Sequence, residues 1–479
     1  MNCLACDLGA ESGRLMLGRI ERERLSIEEV HRFANVPLQI NGSLCWDIEV
    51  LWRELQKGLR KAGSLKNPIT SISADSWGLD YILLDERDKI IGPAFHYRDV
   101  RTAQGVENMR ARMDWPALFA ETGIQFMPFN TVYQLAAESP DRLKRARKVL
   151  LIGDAFNWLL SGVAKTEESL ASTSAIYNPR TRDWSTKVIE ALGVTPEIFT
   201  PIVSSGTKLG HLPVTARLDG VEVIASCSHD TGAAVAAVPA GARPWAYISS
   251  GTWSLMGVEV TQPVLTDRCR ELNFTNEMGY GGTVRLLKNI VGLWIVQECR
   301  REWVRQGRDY DYATLTKMAG EAPAAGPLIN PADPRFVAPG DMPERIAKYC
   351  VETGQRPPES VGATIRCALE SLALQYRNTL REVERLTETR IEQLHIVGGG
   401  SQNHLLNQFT ANATGIPVIA GPTEATAIGN VLVQAIAMGE LDSLRTAREL
   451  VRRSFEVITF EPREQEHWNA AAETFAGLK

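Results

Sequence analysis

The sequence has few cysteines and no long apolar run. Eight cysteines are scattered over 479 residues, which is too sparse for the disulfide framework of a small secreted protein. No uncharged apolar stretch approaches the roughly 18 residues that span a bilayer. The amino terminus, MNCLACDLGA, lacks the basic and apolar segments of a secretion signal. These absences predict a soluble cytoplasmic protein that has no membrane as a partner.

A basic surplus is also missing. The formal net charge is −5, whereas nucleic acids and anionic membranes are bound by concentrated basic faces. One dense basic run, residues 142–148, precedes the apolar residues 149–152. This order predicts a solvated last helical turn before a buried strand. We therefore expect no nucleic-acid partner.

The common nucleotide-binding motifs are absent. There is no GxxxxGK[ST], and the triple glycine at 398–400 is followed by Ser-Gln-Asn instead of completing GxGxxG. Four other segments have the composition of a phosphate or nucleotide site, because glycines let backbone amides approach an anion and an aspartate can hold hydrated Mg²⁺. Each alone is more typical of a hairpin turn or a helix cap, so the prediction depends on their joint occurrence. They are residues 7–14 (DLGAESGR), 228–231 (SHDT), 249–252 (SSGT) and 396–403 (IVGGGSQN).

Strand-like apolar runs alternate with helix-period segments, which is typical of an α/β protein. The clearest helix is predicted over residues 361–386, where apolar residues recur every three or four positions. The strands are predicted at residues 4–8, 71–74, 81–84, 149–152, 221–225, 246–248, 394–397 and 418–420.

The chain exceeds the length that one hydrophobic core usually supports, so two large domains are expected. The segment PAGARP at 239–244 interrupts a run of small apolar residues near the middle of the chain. Each half opens with a strand, a turn of small and polar residues and a second strand, LACDLGAESGRLMLGRI and AYISSGTWSLMGVEV. This repetition predicts a duplicated fold with domains at 1–238 and 239–479 and a cleft between them.

Long motifs in a fixed order make the sequence resemble the FGGY family of carbohydrate kinases over essentially its whole length. Within the family they are most similar to the branch that phosphorylates L-rhamnulose. The resemblance implies an α/β fold of two actin-like, ribonuclease H-like ATPase domains that flank a central cleft. The motifs are CDLGAESGR (6–14), DSWGLDYILLD (75–85), HYRD (96–99), GIQFMPFNTVYQL (123–135), SHDT (228–231), SSGTWSLMG (249–257), LLKNIVGLWIVQE (286–298), LHIVGGGSQNHLLNQ (394–408) and GIPVIAGPTEATAIGN (415–430).

The resemblance also implies roles for individual residues. Asp230 would be the catalytic base that takes the proton from the sugar's 1-hydroxyl as it attacks the γ-phosphorus of ATP, giving L-rhamnulose 1-phosphate and ADP in L-rhamnose degradation. Asp7 would hold Mg²⁺. The sugar-binding residues would be Trp77, Gly78, Arg98, His229, Asp230 and Thr231. The ATP-binding residues would be Ala10, Glu11, Ser12, Gly13, Arg14, Thr252, Asn289, Gln297 and Gly399.

The first loop departs from the general family pattern, because Ala10 and Glu11 stand where a hydroxyl residue usually follows the glycine. An acidic side chain beside a polyphosphate is repulsive, so Glu11 is expected to contribute only its backbone. Arg98 has a second interpretation as the ion-pair partner of Asp99 or Asp80. Residues 129–135 lack the lysine and tryptophan of many family members, which disfavours a glycerol or xylulose kinase.

Other functions stay open at this stage. Another ketose such as L-fuculose could be the substrate, because sugar stereochemistry is read by a few hydrogen bonds. An actin-like assembly or chaperone ATPase without a sugar, or a non-catalytic sugar sensor, could use the same fold. The segments DSWG and SHDT would have no role in such an ATPase. The protein could be a monomer or a homodimer.

Overall fold

The computed structural model describes residues 1–65, 68–213 and 218–478. These residues form two compact units, each assembled from three chain segments. The first unit comprises Met1–Pro239, Glu259–Leu286 and Ala425–Ser454, and the second comprises Ala240–Val258, Leu287–Glu424 and Phe455–Lys479. The units are thus defined by contacts and interleave along the chain, while the division at residues 238 and 239 remains a prediction about its domain organisation.

Strands occur throughout the described part of the chain. They are β1 Asn2–Leu8, β2 Ser12–Glu21, β3 Arg24–Ala34, β4 Leu38–Ile40, β5 Ser43–Trp46, β6 Ser71–Ser76, β7 Tyr81–Leu84, β8 Ala94–Phe95, β9 Lys148–Leu151, β10 Thr166–Glu167, β11 Tyr177–Asn178, β12 Asp183–Trp184, β13 Ile202–Val203, β14 Thr207–His211, β15 Glu222–Ala225, β16 Trp245–Ser250, β17 Trp253–Val260, β18 Thr275–Met278, β19 Val284–Val291, β20 Gln393–Val397, β21 Val418–Ala420 and β22 Ile458–Phe460.

Helices alternate with these strands. They are α1 Ile48–Ala62, α2 Thr102–Arg110, α3 Trp115–Thr122, α4 Thr131–Ala136, α5 Pro140–Arg145, α6 Ile152–Ser161, α7 Glu168–Ala171, α8 Thr186–Leu192, α9 Asp230–Ala236, α10 Asp267–Glu271, α11 Trp294–Arg305, α12 Tyr312–Glu321, α13 Met342–Glu352, α14 Val361–Thr387, α15 His404–Thr414, α16 Ala425–Ala437, α17 Leu444–Ser454 and α18 Gln465–Ala476. Short 3₁₀ turns lie at Ser172–Ser174, Pro196–Ile198, Tyr280–Gly282, Pro334–Phe336 and Gly399–Gln402.

The first unit is built on a six-stranded sheet with the order β14-β15-β6-β1-β2-β3. Strands β1 and β2 form an antiparallel hairpin, and β6 pairs parallel to β1 and to β15. Leu4, Cys6 and Leu8 of β1 share a core with apolar residues of α1 and α6. Helix α16 contacts β1, β6 and α9. The helices therefore leave the ends of β1, β6 and β15, with the turns that follow them, as the place for functional side chains.

The second sheet repeats this arrangement. Its order is β18-β19-β17-β16-β20-β21-β22. Strands β16 and β17 form an antiparallel hairpin, β20 pairs parallel to β16 and β21, and β22 pairs antiparallel to β21. The order from β19 to β22 matches the order from β3 to β14 in the first sheet, so the predicted duplication is confirmed at the level of strand order.

The element predictions agree with the structure within a few residues. The helix predicted at 361–386 is α14, Val361–Thr387, and each predicted strand has its counterpart. The basic run ends α5 and precedes the strand Lys148–Leu151. Cys3 and Cys6 are buried in β1, where residues three apart point to opposite faces. Among the described residues, no helix is long and apolar enough to cross a membrane.

Candidate active site

The first predicted loop is the turn between β1 and β2. Asp7 and Arg14 are register partners across this hairpin, and their side chains form an ion pair. The amide of Gly9 donates to the carbonyl of Ser12 at 2.9 Å, which closes the turn. Glu11 is exposed, and its carbonyl accepts a hydrogen bond from the amide of Asn35 at 3.0 Å. Ala10, Ser12 and Gly13 complete the loop, in which Gly13 has no room for a side chain because a Cβ would lie 2.3 Å from the ring of Phe33.

Asp75 lies beside Asp7, because β1 and β6 pair in parallel with these two residues in register. Its side chain is fully buried, and its Oδ2 accepts a hydrogen bond from Nδ2 of Asn430 in α16. Burial, reinforced by the charge of Asp7, raises the pKa of Asp75 well above its usual value. The surroundings therefore favour the protonated form of Asp75 next to the Asp7 carboxylate.

Asp230 begins helix α9 after the turn that follows β15. Its Oδ1 accepts hydrogen bonds from the amide of Thr231 and from the Thr231 hydroxyl, the latter at 3.0 Å. Burial raises the pKa of Asp230. The nearby His229 opposes this rise and the charge of Asp7 adds to it, and the net shift of the pKa is upward. About 31% of the side-chain surface stays accessible. The site thus combines access for a ligand with an increased affinity of the carboxylate for a proton.

His229 precedes Asp230 and makes no side-chain capping bond to α9, so the interpretation of this pair as a helix cap is not supported for the histidine. Its Nε2 lies 3.4 Å from Oδ1 of Asp230. On the other side of the ring, Nδ1 lies 3.3 Å from Oε2 of Glu277 and 3.1 Å from Nη2 of Arg285. No motif in the sequence had indicated Glu277 or Arg285, which lie some 50 residues further along the chain in β18 and β19.

The SHDT turn is fixed by backbone contacts. The amide of Ser76 donates to the carbonyl of Ser228 at 2.9 Å, which joins the end of β6 to the turn. The amide of Ser228 donates to the carboxylate of Glu167 at 2.9 Å. Glu167 is fully buried and also accepts hydrogen bonds from Ser169 and Ser205. These contacts hold the turn that precedes Asp230 in place. Sequence reasoning had not identified Glu167.

Trp77 and Gly78 follow directly on β6. The indole Nε1 of Trp77 donates to Oδ2 of Asp80 at 2.9 Å, and the side chain is buried. A Cβ at Gly78 would lie 3.1 Å from the hydroxyl of Thr173, so close packing on Thr173 requires a small residue here. The Nε of Arg98 donates to the hydroxyl of Tyr97 at 3.3 Å.

The second unit holds the other predicted loops. The turn between β16 and β17 is tied to the start of α11, since the carbonyls of Gly251 and Thr252 accept hydrogen bonds from the amides of residues 292–294. Asn289 lies in β19, just before this point, and Gln297 lies in the first turn of α11. The Oε1 of Gln297 is buried without a hydrogen-bond partner among the described residues. Thr252 is therefore joined to the start of the helix that carries Gln297, and Asn289 lies three residues before the joined segment.

The triple glycine packs against the same turn. A Cβ at Gly398 would lie 3.0 Å from the carbonyl oxygen of Ser250, and one at Gly400 would lie 2.0 Å from its hydroxyl. Gly399 has open space where a Cβ would stand, so its backbone can be approached by a flat ligand. The structure thus groups Asp7 to Arg14, Trp77, Gly78, His229, Asp230 and Thr231 in the first unit, and Thr252, Asn289, Gln297 and Gly399 in the second.

Solved structures with the same architecture define the class of protein. The chain superimposes with a TM-score of 0.81 on a ligand-bound xylulose kinase from Lactobacillus acidophilus at 14% identity, covering 99% of this chain and 97% of that one. A xylulose kinase from Rhodospirillum rubrum gives 0.79 at 18% identity, covering 99% and 98%. At these identities the likeness concerns the fold, which is the actin-like, two-domain ATPase fold of the sugar kinases.

The chain belongs to the FGGY family of carbohydrate kinases, since the models of the family's N-terminal and C-terminal domains match residues 2–237 and 246–438. It is similar to a rhamnulokinase from Bacteroides thetaiotaomicron, with 43% identity over 98% of both chains. Rhamnulokinases from Bacillus subtilis and Halalkalibacterium halodurans are 40% and 41% identical, covering 96% and 95% of this chain and 95% and 97% of theirs. The chain is accordingly a sugar kinase.

Proposed function

We propose that this protein transfers the γ-phosphoryl group of ATP to the 1-hydroxyl of L-rhamnulose, giving L-rhamnulose 1-phosphate and ADP. The observation that carries the proposal is identity of about 40% to several rhamnulokinases over nearly the whole chain. Relatives of this kind do not favour the alternatives of an L-fuculose kinase or a non-kinase ATPase. We place the reaction in L-rhamnose degradation, in the cytoplasm.

Asp230 is proposed as the catalytic base. Its Oδ1 is occupied by donors from Thr231, so Oδ2 is the oxygen to accept the proton of the 1-hydroxyl as that oxygen attacks phosphorus. Burial raises the pKa of Asp230, which makes the carboxylate a better proton acceptor. Positioning and charge neutralisation supply most of the catalysis of phosphoryl transfer, and a base adds on the order of 10²–10⁴-fold.

The sugar is proposed to lie beside the Asp230 carboxylate. Trp77, Gly78, Arg98, His229 and Thr231 are the proposed contacts. For Trp77 and His229, support comes from the backbone hydrogen bond between their neighbours Ser76 and Ser228. The buried indole of Trp77 offers an apolar wall for a sugar face.

ATP is proposed to contact the loop between β1 and β2 and four residues of the second unit. Ala10, Glu11, Ser12, Gly13 and Arg14 would contact its phosphates, with Glu11 contributing only its backbone, as its exposed side chain permits. In the second unit, Thr252, Asn289, Gln297 and Gly399 would line the nucleotide site. The buried, unpartnered Oε1 of Gln297 and the open space at Gly399 support this assignment.

Mg²⁺ is the proposed cofactor, and the donor set fits it. Among the described residues, no group of three or more His, Cys, Asp or Glu side chains could hold a metal ion. Mg²⁺, however, is commonly bound by one or two carboxylates together with water and substrate phosphates. The Asp7 carboxylate, close enough to Asp75 and Asp230 to raise the pKa of both, would provide such a ligand. When bound, the cation neutralises negative charge on the transferring phosphoryl group.

The test is ADP release by purified protein with MgATP and a panel of L-rhamnulose, L-fuculose, L-ribulose, D-xylulose, D-fructose and glycerol. We expect a preference for L-rhamnulose, with product identified as the 1-phosphate. In Asp230→Asn, kcat should fall by about 10²–10⁴-fold while ATP binding is retained. Preference for another sugar would refute the substrate, and sugar-independent turnover unaffected by the substitution would refute the kinase reaction.

A further inference from the structure

His229, Glu277 and Arg285 form a close triangle beside the Asp230 carboxylate. The Nη2 of Arg285 lies 3.1 Å from Nδ1 of His229 and 3.2 Å from Oε2 of Glu277, and Oε2 lies 3.3 Å from Nδ1. Arg285 is fully buried and Glu277 is 5% exposed. All four side chains belong to the first unit.

The guanidinium of Arg285 is held in place. Its Nε donates to the carbonyl of Met278 at 3.0 Å, which fixes the plane of the group relative to the strand pair β18 and β19. A guanidinium is only a donor and stays protonated in proteins. Its N–H directed at Nδ1 of His229 therefore requires a lone pair on that nitrogen. A neutral imidazole then carries its proton on Nε2, the nitrogen that faces Asp230.

We propose that Arg285 is a positioning residue that fixes His229 as the Nε2–H tautomer, so that His229 adds a donor to Oδ1 of Asp230 beside those from Thr231, while Oδ2 stays available for the sugar hydroxyl. Glu277 balances the charge of Arg285. The inference rests on the proposed function, in which Asp230 is the base. The 3.4 Å between Nε2 and Oδ1 is long, as catalytic hydrogen bonds often are before substrate binds.

The opposite tautomer is unfavourable in this geometry. A proton on Nδ1 would have Oε2 of Glu277 as an acceptor at 3.3 Å, but it would also stand against an N–H of Arg285, whose Nη2 is closer at 3.1 Å. The lone pair on Nε2 would then face the Asp230 carboxylate. The charged and titratable groups facing His229 are Asp230 from α9, Glu277 from β18 and Arg285 from β19. Oε2 of Glu277 lies 3.2 Å from Nη2 of Arg285, so Glu277 carries the charge that balances Arg285.

The first experiment compares Arg285→Met with Arg285→Lys. The methionine fills similar space without donating a hydrogen bond. The proton of His229 can then reside on Nδ1, which faces Glu277, and the Asp230 carboxylate loses a donor. We expect kcat to fall about tenfold to a hundredfold, a part of the factor that a general base supplies, with the KM for ATP unchanged. The acid limb of the pH profile of kcat should move to higher pH. Lysine, which still donates, should restore part of the loss.

The matched variant is Glu277→Gln, which keeps the shape and removes the negative charge. Without that charge the proton affinity of Asp230 falls, so the acid limb should move to lower pH, opposite to Arg285→Met, with a smaller loss of kcat. In a His229→Gln background, where the ring is gone, Arg285→Met should shift the pH profile less than in the wild-type background, because only the loss of the Arg285 charge remains. Shifts of both variants in the same direction, or equal effects with and without His229, would overturn the inference.

A measurement on the unaltered enzyme guards against a misfolded variant. The ring nitrogens of His229, among the seven histidines, can be assigned in ¹⁵N spectra by their loss in His229→Gln. An unprotonated Nδ1 supports the proposal and a protonated Nδ1 refutes it. If the wild-type enzyme phosphorylates the sugar and Arg285→Met matches it in kcat and pH profile, only this inference fails. If the wild-type enzyme has no sugar-dependent turnover, the proposed function itself fails.

Discussion

At the scale of single residues, the buried carboxylates of the first unit differ in the groups that compensate their negative charge. Asp80 has no exposed surface, yet it accepts hydrogen bonds from the indoles of Trp46 and Trp77, the amide of Gln134 and the backbone of Tyr97. Burial raises its pKa to about 6 in spite of these donors. Asp80 therefore holds Trp77 in place. As the pH rises and the carboxyl ionises, its buried negative charge destabilises the folded protein.

This balance predicts a pH-dependent difference between the wild-type protein and Asp80→Asn. The carboxyl binds its proton more tightly in the folded protein, with a pKa of about 6, than in the unfolded chain, where the pKa is about 3.9. As the pH rises from 4 to 6, the free energy of unfolding of the wild-type protein should therefore fall relative to that of Asp80→Asn, by roughly 3 kcal/mol.

Urea denaturation of both proteins at several pH values measures this difference. Asp219→Asn, at an exposed position, controls for the substitution itself. A difference between wild type and Asp80→Asn that stays constant from pH 4 to 7 would contradict the burial of a titrating carboxyl at this position.

At the scale of elements, helix α16 lies unusually close to its neighbours. A Cβ at Gly429 would lie 1.7 Å from the carbonyl oxygen of Ala233 in α9. A Cβ at Gly18 in β2 would lie 2.5 Å from the side chain of Val431, also in α16. Since α9 begins with Asp230, the close packing of α16 against α9 at Gly429 affects the position of the proposed base.

We predict that Gly429→Ala destabilises the protein and lowers kcat. Alanine gains about 1 kcal/mol of helix propensity, but overlap with the backbone of α9 forces a shift that costs about 1–3 kcal/mol or more. The matched control is Gly320→Ala in α12, where a Cβ would meet nothing closer than 3.9 Å, and this variant should be neutral or more stable. Thermal and urea unfolding of both variants, with kcat, measures the effect. Equal stability of the two would contradict the close helix approach.

At the scale of the whole molecule, the first compact unit includes segments from the distant part of the chain. Helix α16 covers β1 and β6, and its Gln434 donates to the carbonyl of Leu4 and accepts from Ser71. Asn430 holds Asp75 in the same way. These polar contacts are buried, so their loss leaves unpaired groups inside the protein.

A fragment of residues 1–238 should therefore not fold cooperatively. It lacks α16 and the strand β18 that carries Glu277, so it exposes apolar surface and leaves Asp75 without its amide partner. Circular dichroism, thermal unfolding and binding of a hydrophobic dye compare the fragment with the full chain at equal concentration. A sharp unfolding transition and no dye binding by the fragment would show that the N-terminal half is complete by itself.

The amino-acid sequence alone determined the elements and the nature of the chemistry. The period of apolar residues identified α14 and the principal strands, because burial of one face leaves a mark at every turn of a helix and at every second residue of a strand. The repeated strand, turn and strand predicted the duplication that the matching sheet orders confirm. The motifs led to the family, and thereby to Asp230, Asp7 and the glycine loops, as candidate residues.

The tertiary structure alone decided which polar groups meet. Glu277 and Arg285 reach His229 from strands some 50 residues away, and Asn430 reaches Asp75 from more than 350 residues away. Apolar periodicity reports only that a residue is buried, whereas the partner of a buried polar group is set by which strands and helices pack together. That choice depends on long-range packing, in which many distant parts of the chain act at once, so no local pattern of residues contains it.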